Sequence, residues 1–194
     1  MITPEQVNKL IKDRRSVFQA QYSGERVPDA VIEQMLENAN WAPNHKHTEP
    51  WRFIVFTDAG IERFAEVQAE VYKQVHETRG TFDEARYKIM REKPRLSSHI
   101  IAIAMKRDEK KSVPQIEEIG AVFCAVENMY LTATAYGVGC YLSTGTIAHY
   151  EEAKPAFGLG EEDVLIGFLH VGMPKGPLPE GKRRPIADKV VWER

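Results

Sequence analysis

Pro50-Trp51-Arg52-Phe53-Ile54-Val55-Phe56-Thr57 carries the strongest structural signal in the chain. A Pro-Trp pair leads into residues 52–57, which are rich in aromatic and β-branched side chains and read as a buried strand. Trp51 reads as a core anchor at the strand entry. Just upstream, Ala42-Pro43-Asn44-His45-Lys46-His47-Thr48-Glu49 is a polar loop. It follows a helix that starts around Pro28-Asp29, buries Ile32, Met35, Leu36 and Ala39, and is stopped by Pro43. A loop of this kind can present side chains and backbone amides to a flat heterocycle.

Outward from this stretch, helices and strands alternate. Thr3 is placed to cap a first helix, Pro4 suits its first position, and Gln6 completes a capping box. Val7, Leu10 and Ile11 follow at helical spacing. The helix should end near Asp13, which leaves Arg14, Arg15 and Ser16 at its C-terminal end. Asp58 is expected to cap a long amphipathic helix carrying Ile61, Phe64, Val67, Val71 and Val75, broken at Gly80. A short polar helix over 83–93 and a strand over 98–106 come next. Residues 115–136 form the most apolar helix. Its apolar residues cover most of its circumference, which predicts burial in a core or at a subunit interface, and Gly137 suits its C-cap. A short strand from 139, a helix around 150–157 interrupted by Pro155, a strand at 164–171 and an extended Pro-rich tail complete the chain. This order without hairpin signals predicts an α+β fold, a small central sheet wrapped by helices, in one domain over 1–194.

Composition narrows the function classes. The chain has 194 residues, 43% hydrophobic and 28% charged, as ordinary soluble domains do. A formal net charge of −2 argues against a dedicated nucleic-acid binder. The longest strongly apolar run, residues 100–105, is far short of the roughly 20 residues of a membrane helix, and the N-terminus does not read as a signal peptide. Cys124 and Cys140 do not form a Cys-x-x-Cys pair. A reduced, cytoplasmic protein with both thiols packed inside is the simplest reading.

Taken singly, the candidate motifs are short. Arg14-Arg15-Ser16 has the groups that hold a phosphate, Arg forks and a hydroxyl, but a solvated basic helix end looks the same. His45-x-His47 lies in a loop without Cys or nearby carboxylate ligands, a poor zinc signature. Gly137-Val138-Gly139 follows a helix and lacks the third Gly, which excludes a dinucleotide fingerprint; a helix C-cap and a tight strand entry explain it. Leu142-Ser143-Thr144-Gly145 has small and hydroxyl residues that allow a ligand to approach. Lys182-Arg183-Arg184-Pro185 is a solvated tail or a further cation for a phosphate.

Their order is more telling. Arg14-Arg15-Ser16-Val17, Ala42-Pro43 with Pro50-Trp51-Arg52-Phe53-Ile54-Val55, Gly137-Val138-Gly139, and Arg183-Arg184-Pro185 together resemble the FMN-dependent nitroreductase family, its compact bacterial branch, over nearly the whole chain. The resemblance implies a homodimer with FMN at the subunit interface, and hydride transfer from NADH or NADPH through flavin N5 to a nitroaromatic, quinone or related small-molecule acceptor. It assigns Arg14, Arg15, Ser16 and Arg183 to the phosphate and ribityl end. Leu142, Ser143 and Thr144 fall beside the ring, and Trp41, His45 and His47 reach it from the other subunit. It places 132–137 in a stretch associated with the nicotinamide nucleotide. No side-chain nucleophile is implied. Two features depart from the family: Phe18 and Gln19 stand where many members carry a basic residue, and His47 stands where many carry Asn. A flavin-binding sensor or carrier without turnover is the alternative.

Overall fold

The strand His99–Met105 (β2) has no exposed residue, because the fold covers it on both faces. In the computed structural model, which describes residues 1–145 and 147–194, β2 shares a four-stranded sheet with Trp51–Thr57 (β1), Gly139–Ser143 (β3) and Val164–Gly172 (β4). The order is β1-β2-β4-β3 and every pairing is antiparallel. Trp51 lies opposite Met105, His99 opposite Val171, and Gly139 opposite Gly172. Helices or long loops connect the strands, so antiparallel neighbours arise without tight hairpins.

Side chains along β2 alternate between two cores. Ile101, Ile103 and Met105 meet Ile32, Met35 and Ala39 of helix Asp29–Asn40 (α2) and Val122, Val126 and Met129 of helix Gln115–Ala135 (α5). Ile100 and Ala102 meet Phe64, Ala69 and Tyr72 of helix Ala59–Thr78 (α3) and Met90 of helix Glu84–Glu92 (α4). A half-wet antiparallel strand would alternate apolar and polar residues; coverage of both faces produces the unbroken apolar run of β2.

Helix Pro4–Asp13 (α1) has the expected capping box: Thr3 Oγ1 accepts from Gln6 N, and Gln6 Oε1 accepts from Thr3 N at 2.9 Å. Gly137, at φ 69°, ends α5 as expected. Trp51 is buried and its Nε1 donates to Asn40 Oδ1 at 3.0 Å, the anchor role read from the sequence.

Two expectations are corrected. Asp58 stands at the N-cap of α3, as expected, but makes no side-chain capping bond: its backbone lies at φ 49°, and its carboxylate accepts from Arg26 Nη1 at 2.6 Å. Cys124 is exposed rather than packed. The reason is that α5 has two apolar stripes and the chain covers only one; Ile116 and Phe123, beside Cys124, are also exposed. Cys140 is buried as expected, which pushes its thiol well above the usual range.

The tail from residue 175 is exposed, extended apart from a short turn at Ile186–Lys189, and fastened at its root. Tyr22 bridges to Pro174, and Lys175 N donates to Gln21 O at 2.9 Å. Gly172 permits this closeness, since a Cβ there would lie 2.5 Å from the Tyr22 ring.

Candidate functional site

The chain leaving α1 runs along the outer edge of β3. Ser16 forms a parallel bridge with Cys140, and Val17 N donates to Cys140 O at 2.8 Å. Tyr130 of α5 links this segment to the strand. Its hydroxyl accepts from Leu142 N at 2.7 Å and meets the Ser16 side chain, and Arg14 stacks over its ring at 5.3 Å. Burial, first of several causes, holds the Tyr130 phenol above its ordinary pKa, so the hydroxyl stays neutral. Arg14, Ser16 and Leu142, far apart in sequence, thus surround one side chain that sequence reasoning did not single out.

Arg15 is committed elsewhere. Its guanidinium donates to the carbonyls of Lys12, of Arg14 at 2.8 Å and of Pro179 at 2.9 Å. It clamps the tail four residues before Arg183. Arg183 itself is exposed and donates to Lys182 O at 2.8 Å. The structure brings Arg15 and the tail together but leaves the Arg183 side chain in solvent.

Beyond Leu142, the strand forms part of a cavity of about 260 Å³, lined by Gln19, Tyr141, Ser143 and His170 together with Gln68, Arg86, Ile89, Met90, Lys93 and Pro94. Thr144 is exposed. The floor is a buried polar cluster. Gln19 Nε2 contacts His170 Nδ1 at 3.0 Å, and Ser97 Oγ contacts the same nitrogen at 3.1 Å. Gln19 is 3% exposed and its Oε1 has no partner. Burial, with a smaller contribution from the Lys93 charge, holds the His170 pKa down at about 3. Tyr141 lies parallel to the imidazole, 6.4 Å between centroids and 19° between planes, and Phe18 packs on Tyr141 at 4.5 Å. At the two positions where a cation was missed, Phe18 therefore packs and Gln19 enters the floor.

The loop after α2 is strained and tied down. Lys46, His47 and Glu49 have φ of 53°, 54° and 42°, a region that costs a non-glycine residue roughly 1–2 kcal/mol. His45 Nδ1 meets Glu117 Oε2 at 2.5 Å, Lys46 Nζ donates to Ser112 O at 2.9 Å, and Asn44 Oδ1 accepts from Glu49 N at 3.1 Å. His47 is exposed, and Trp41 is 79% exposed with its Nε1 on Glu37 Oε1 at 3.1 Å. Among the described residues, no hydrogen bond or ring contact joins Trp41, His45 or His47 to Arg14, Ser16 or the cavity floor within the chain.

Sequence reasoning missed Tyr130, Ser97, His170 and Lys93, and marked Gln19 only as a departure from the family. Only His170 left a signal, as a polar residue inside an otherwise apolar strand.

Comparison with known proteins follows the same outline. The family model described as the nitroreductase family matches residues 11–173. YfhC of Bacillus subtilis (strain 168), a protein named for NAD(P)H nitroreductase activity, is 29% identical over 183 residues, 94% of this chain and 91% of that one. The structure of a nitroreductase-like family protein from Bacillus cereus superposes with a TM-score of 0.84 at 25% identity, covering 100% of this chain and 98% of the other. A Desulfovibrio desulfuricans protein solved in complex with FMN superposes at 0.74, with 24% identity and 100% and 99% coverage.

Proposed function

The chain belongs to the nitroreductase family, and on that premise we propose that it is an NAD(P)H-dependent FMN oxidoreductase acting on nitroaromatic, quinone or related acceptors. The observation that carries this reading is the convergence of Arg14, Ser16 and Leu142 on Tyr130, beside a cavity whose floor keeps an unpaired acceptor.

The residues fit the cofactor at both ends. A phosphate needs cations and hydroxyls, which Arg14, Ser16 and Arg183 provide, while Arg15 fixes the tail that carries Arg183. The flavin ring ends in an imide edge, an N–H between two carbonyls. A buried acceptor left unpaired costs about 1–3 kcal/mol, so Gln19, which lines the cavity with its Oε1 sealed and unpaired, would gain a partner in the ring N–H on turning its amide towards the cavity. The backbone of Leu142, Ser143 and Thr144 would flank the ring. Trp41, His45 and His47 are assigned to the ring of a second copy.

When bound, FMN supplies the two-electron chemistry between NADH or NADPH and the acceptor. The chain's own part is to bind, orient and shield. Lys93 places positive charge at the cavity, where it favours electron-rich ligands, and the Phe18–Tyr141 stack closes the side where a basic residue is lacking.

A homodimer is part of the proposal. The cavity, at about 260 Å³, is small beside the roughly 300–1,000 Å³ of a complete ligand pocket, which fits a site finished by a second wall. Apolar residues stand in solvent on α5 and on the tail, Ile116 at 71% and Trp192 at 76% exposure, and uncovered apolar surface marks interaction sites. No described helix is long and apolar enough to cross a membrane. A cytoplasmic setting is assigned from the two free cysteines.

The test is an acceptor screen on flavin-loaded protein with both nucleotides. Steady NAD(P)H consumption is expected; retained flavin without turnover would replace the enzyme by a flavin-binding sensor or carrier. Arg14→Ala combined with Arg183→Ala should weaken FMN binding about 100-fold or more, from roughly 1.5 kcal/mol or more per charged hydrogen bond. Unchanged FMN affinity in that variant refutes the phosphate assignment.

A further inference from the structure

The polar floor of the cavity has a direction. His170 Nδ1 faces two groups, the amide of Gln19 and the hydroxyl of Ser97. An amide nitrogen only donates, and the Ser97 hydroxyl is free to donate as well, so Nδ1 is the acceptor. A neutral imidazole carries a single proton, which must then reside on Nε2. The ring is 5% exposed, held parallel to Tyr141, and its backbone carbonyl accepts from the Tyr22 hydroxyl at 2.9 Å. Its orientation is therefore fixed from several sides. Among the described residues, the sealed side-chain polar atoms without a partner are Gln19 Oε1 and Thr48 Oγ1. His170 Nε2 is not one of them, and His170 lines the cavity, so this nitrogen opens to it.

An N–H donor therefore stands at the cavity wall, its direction fixed from behind by Gln19 and Ser97. It is complementary to a ring carbonyl of an imide. Resting on the reading above that the flavin ring is the ligand, we infer that His170 is a cofactor-binding residue: its Nε2–H donates to a carbonyl of the flavin imide edge, and Gln19 and Ser97 position it to do so. The hydrogen bond from Nε2–H tightens when the ring becomes more negative on reduction, because hydrogen bonds to charged acceptors are the stronger ones. His170 thereby supplies an uncharged donor in a site that lacks the basic residue at Phe18 and Gln19, and raises the reduction potential of the bound flavin.

Two measurements test this. Nitrogen-15 NMR of the imidazoles in the flavin-free protein should show His170 as the Nε2–H tautomer; an Nδ1–H tautomer overturns the inference. With FMN bound, His170→Leu should weaken reduced FMN about tenfold relative to oxidised FMN, which lowers the two-electron potential by about 30 mV. His170→Gln, which keeps an N–H at similar reach, should restore most of the shift. A His170→Leu protein that binds FMN at the wild-type potential overturns the inference and leaves the proposed function standing. A wild-type protein that takes up no FMN overturns the proposed function and with it the role of His170 towards the flavin, whatever the tautomer. If the leucine variant does not fold, the tautomer and the glutamine variant's potential carry the test.

Discussion

Mild acid should destabilise the flavin-free protein through His170. The imidazole has an ordinary pKa of 6.5 and is held at about 3 in the fold. The folded value lies below the unfolded one, so the unfolded chain binds the extra proton between these limits. Stability is then complete above 6.5 and falls as the pH drops towards 3. At pH 5 the deficit covers 1.5 pH units at about 1.4 kcal/mol each, or about 2 kcal/mol. Urea unfolding of the wild type and of His170→Gln at pH 7, 6 and 5 isolates this contribution. The two proteins will differ by a constant from the substitution itself, plus a part that changes with pH. That second part should change by about 2 kcal/mol between pH 7 and 5, with the wild type losing more. A difference that stays constant across the range refutes the argument that this ring is buried neutral. Lys93→Met should shrink the wild-type loss without abolishing it, because burial rather than the lysine charge is the first cause of the depressed value. Flavin-free protein is needed because a ligand that binds only the folded state adds its own linkage.

Two further outcomes concern the frame around the site. Glu118 is fully buried at the start of α5, where it accepts from the Arg107 guanidinium and from Asp108 N at 2.9 Å; Glu118→Ala strands the Arg107 charge and should cost about 3–5 kcal/mol, read from chemical denaturation. A loss below about 1 kcal/mol would show that the pair is not buried in solution. Gly172→Ala would place a Cβ 2.5 Å from the Tyr22 ring; a loss of about 1–3 kcal/mol is expected from overpacking, and Tyr22→Ala in the same chain should remove most of the additional cost of the alanine. A Gly172→Ala protein as stable as the wild type contradicts the close approach of the tail root.

The sequence shows what local chemistry decides. The buried run of β2, the Thr3–Gln6 box and the anchor Trp51 are each legible from adjacent residues, and each is found. Asp58 is placed correctly at the N-cap, but its side-chain partner is not legible, because Arg26, which holds the carboxylate, lies 32 positions away. Cys124 is misread because a helical wheel shows two apolar stripes on α5 without saying which one this chain covers. Arg15 donates to the carbonyls of Lys12, Arg14 and Pro179, contacts that a basic pair in sequence does not announce. The site is the least legible part. Its floor joins Gln19 to His170 across 151 positions, and no periodicity encodes a contact of that span. The family resemblance supplied the neighbourhood of the site, and the packing supplied Tyr130 and His170.

The bridge between Ser16 and Cys140 also has a meaning for assembly. The sheet ends in two strands, β3 and β1, and the segment after α1 already lies along the outer side of β3. Hydrogen-bonding groups of β1 remain the open border, with Ile54 and Val55 exposed on it. An added strand can therefore join on one side alone. Two copies meeting border to border would use up both open sides, and the blunted side of each would hinder a third from continuing the array.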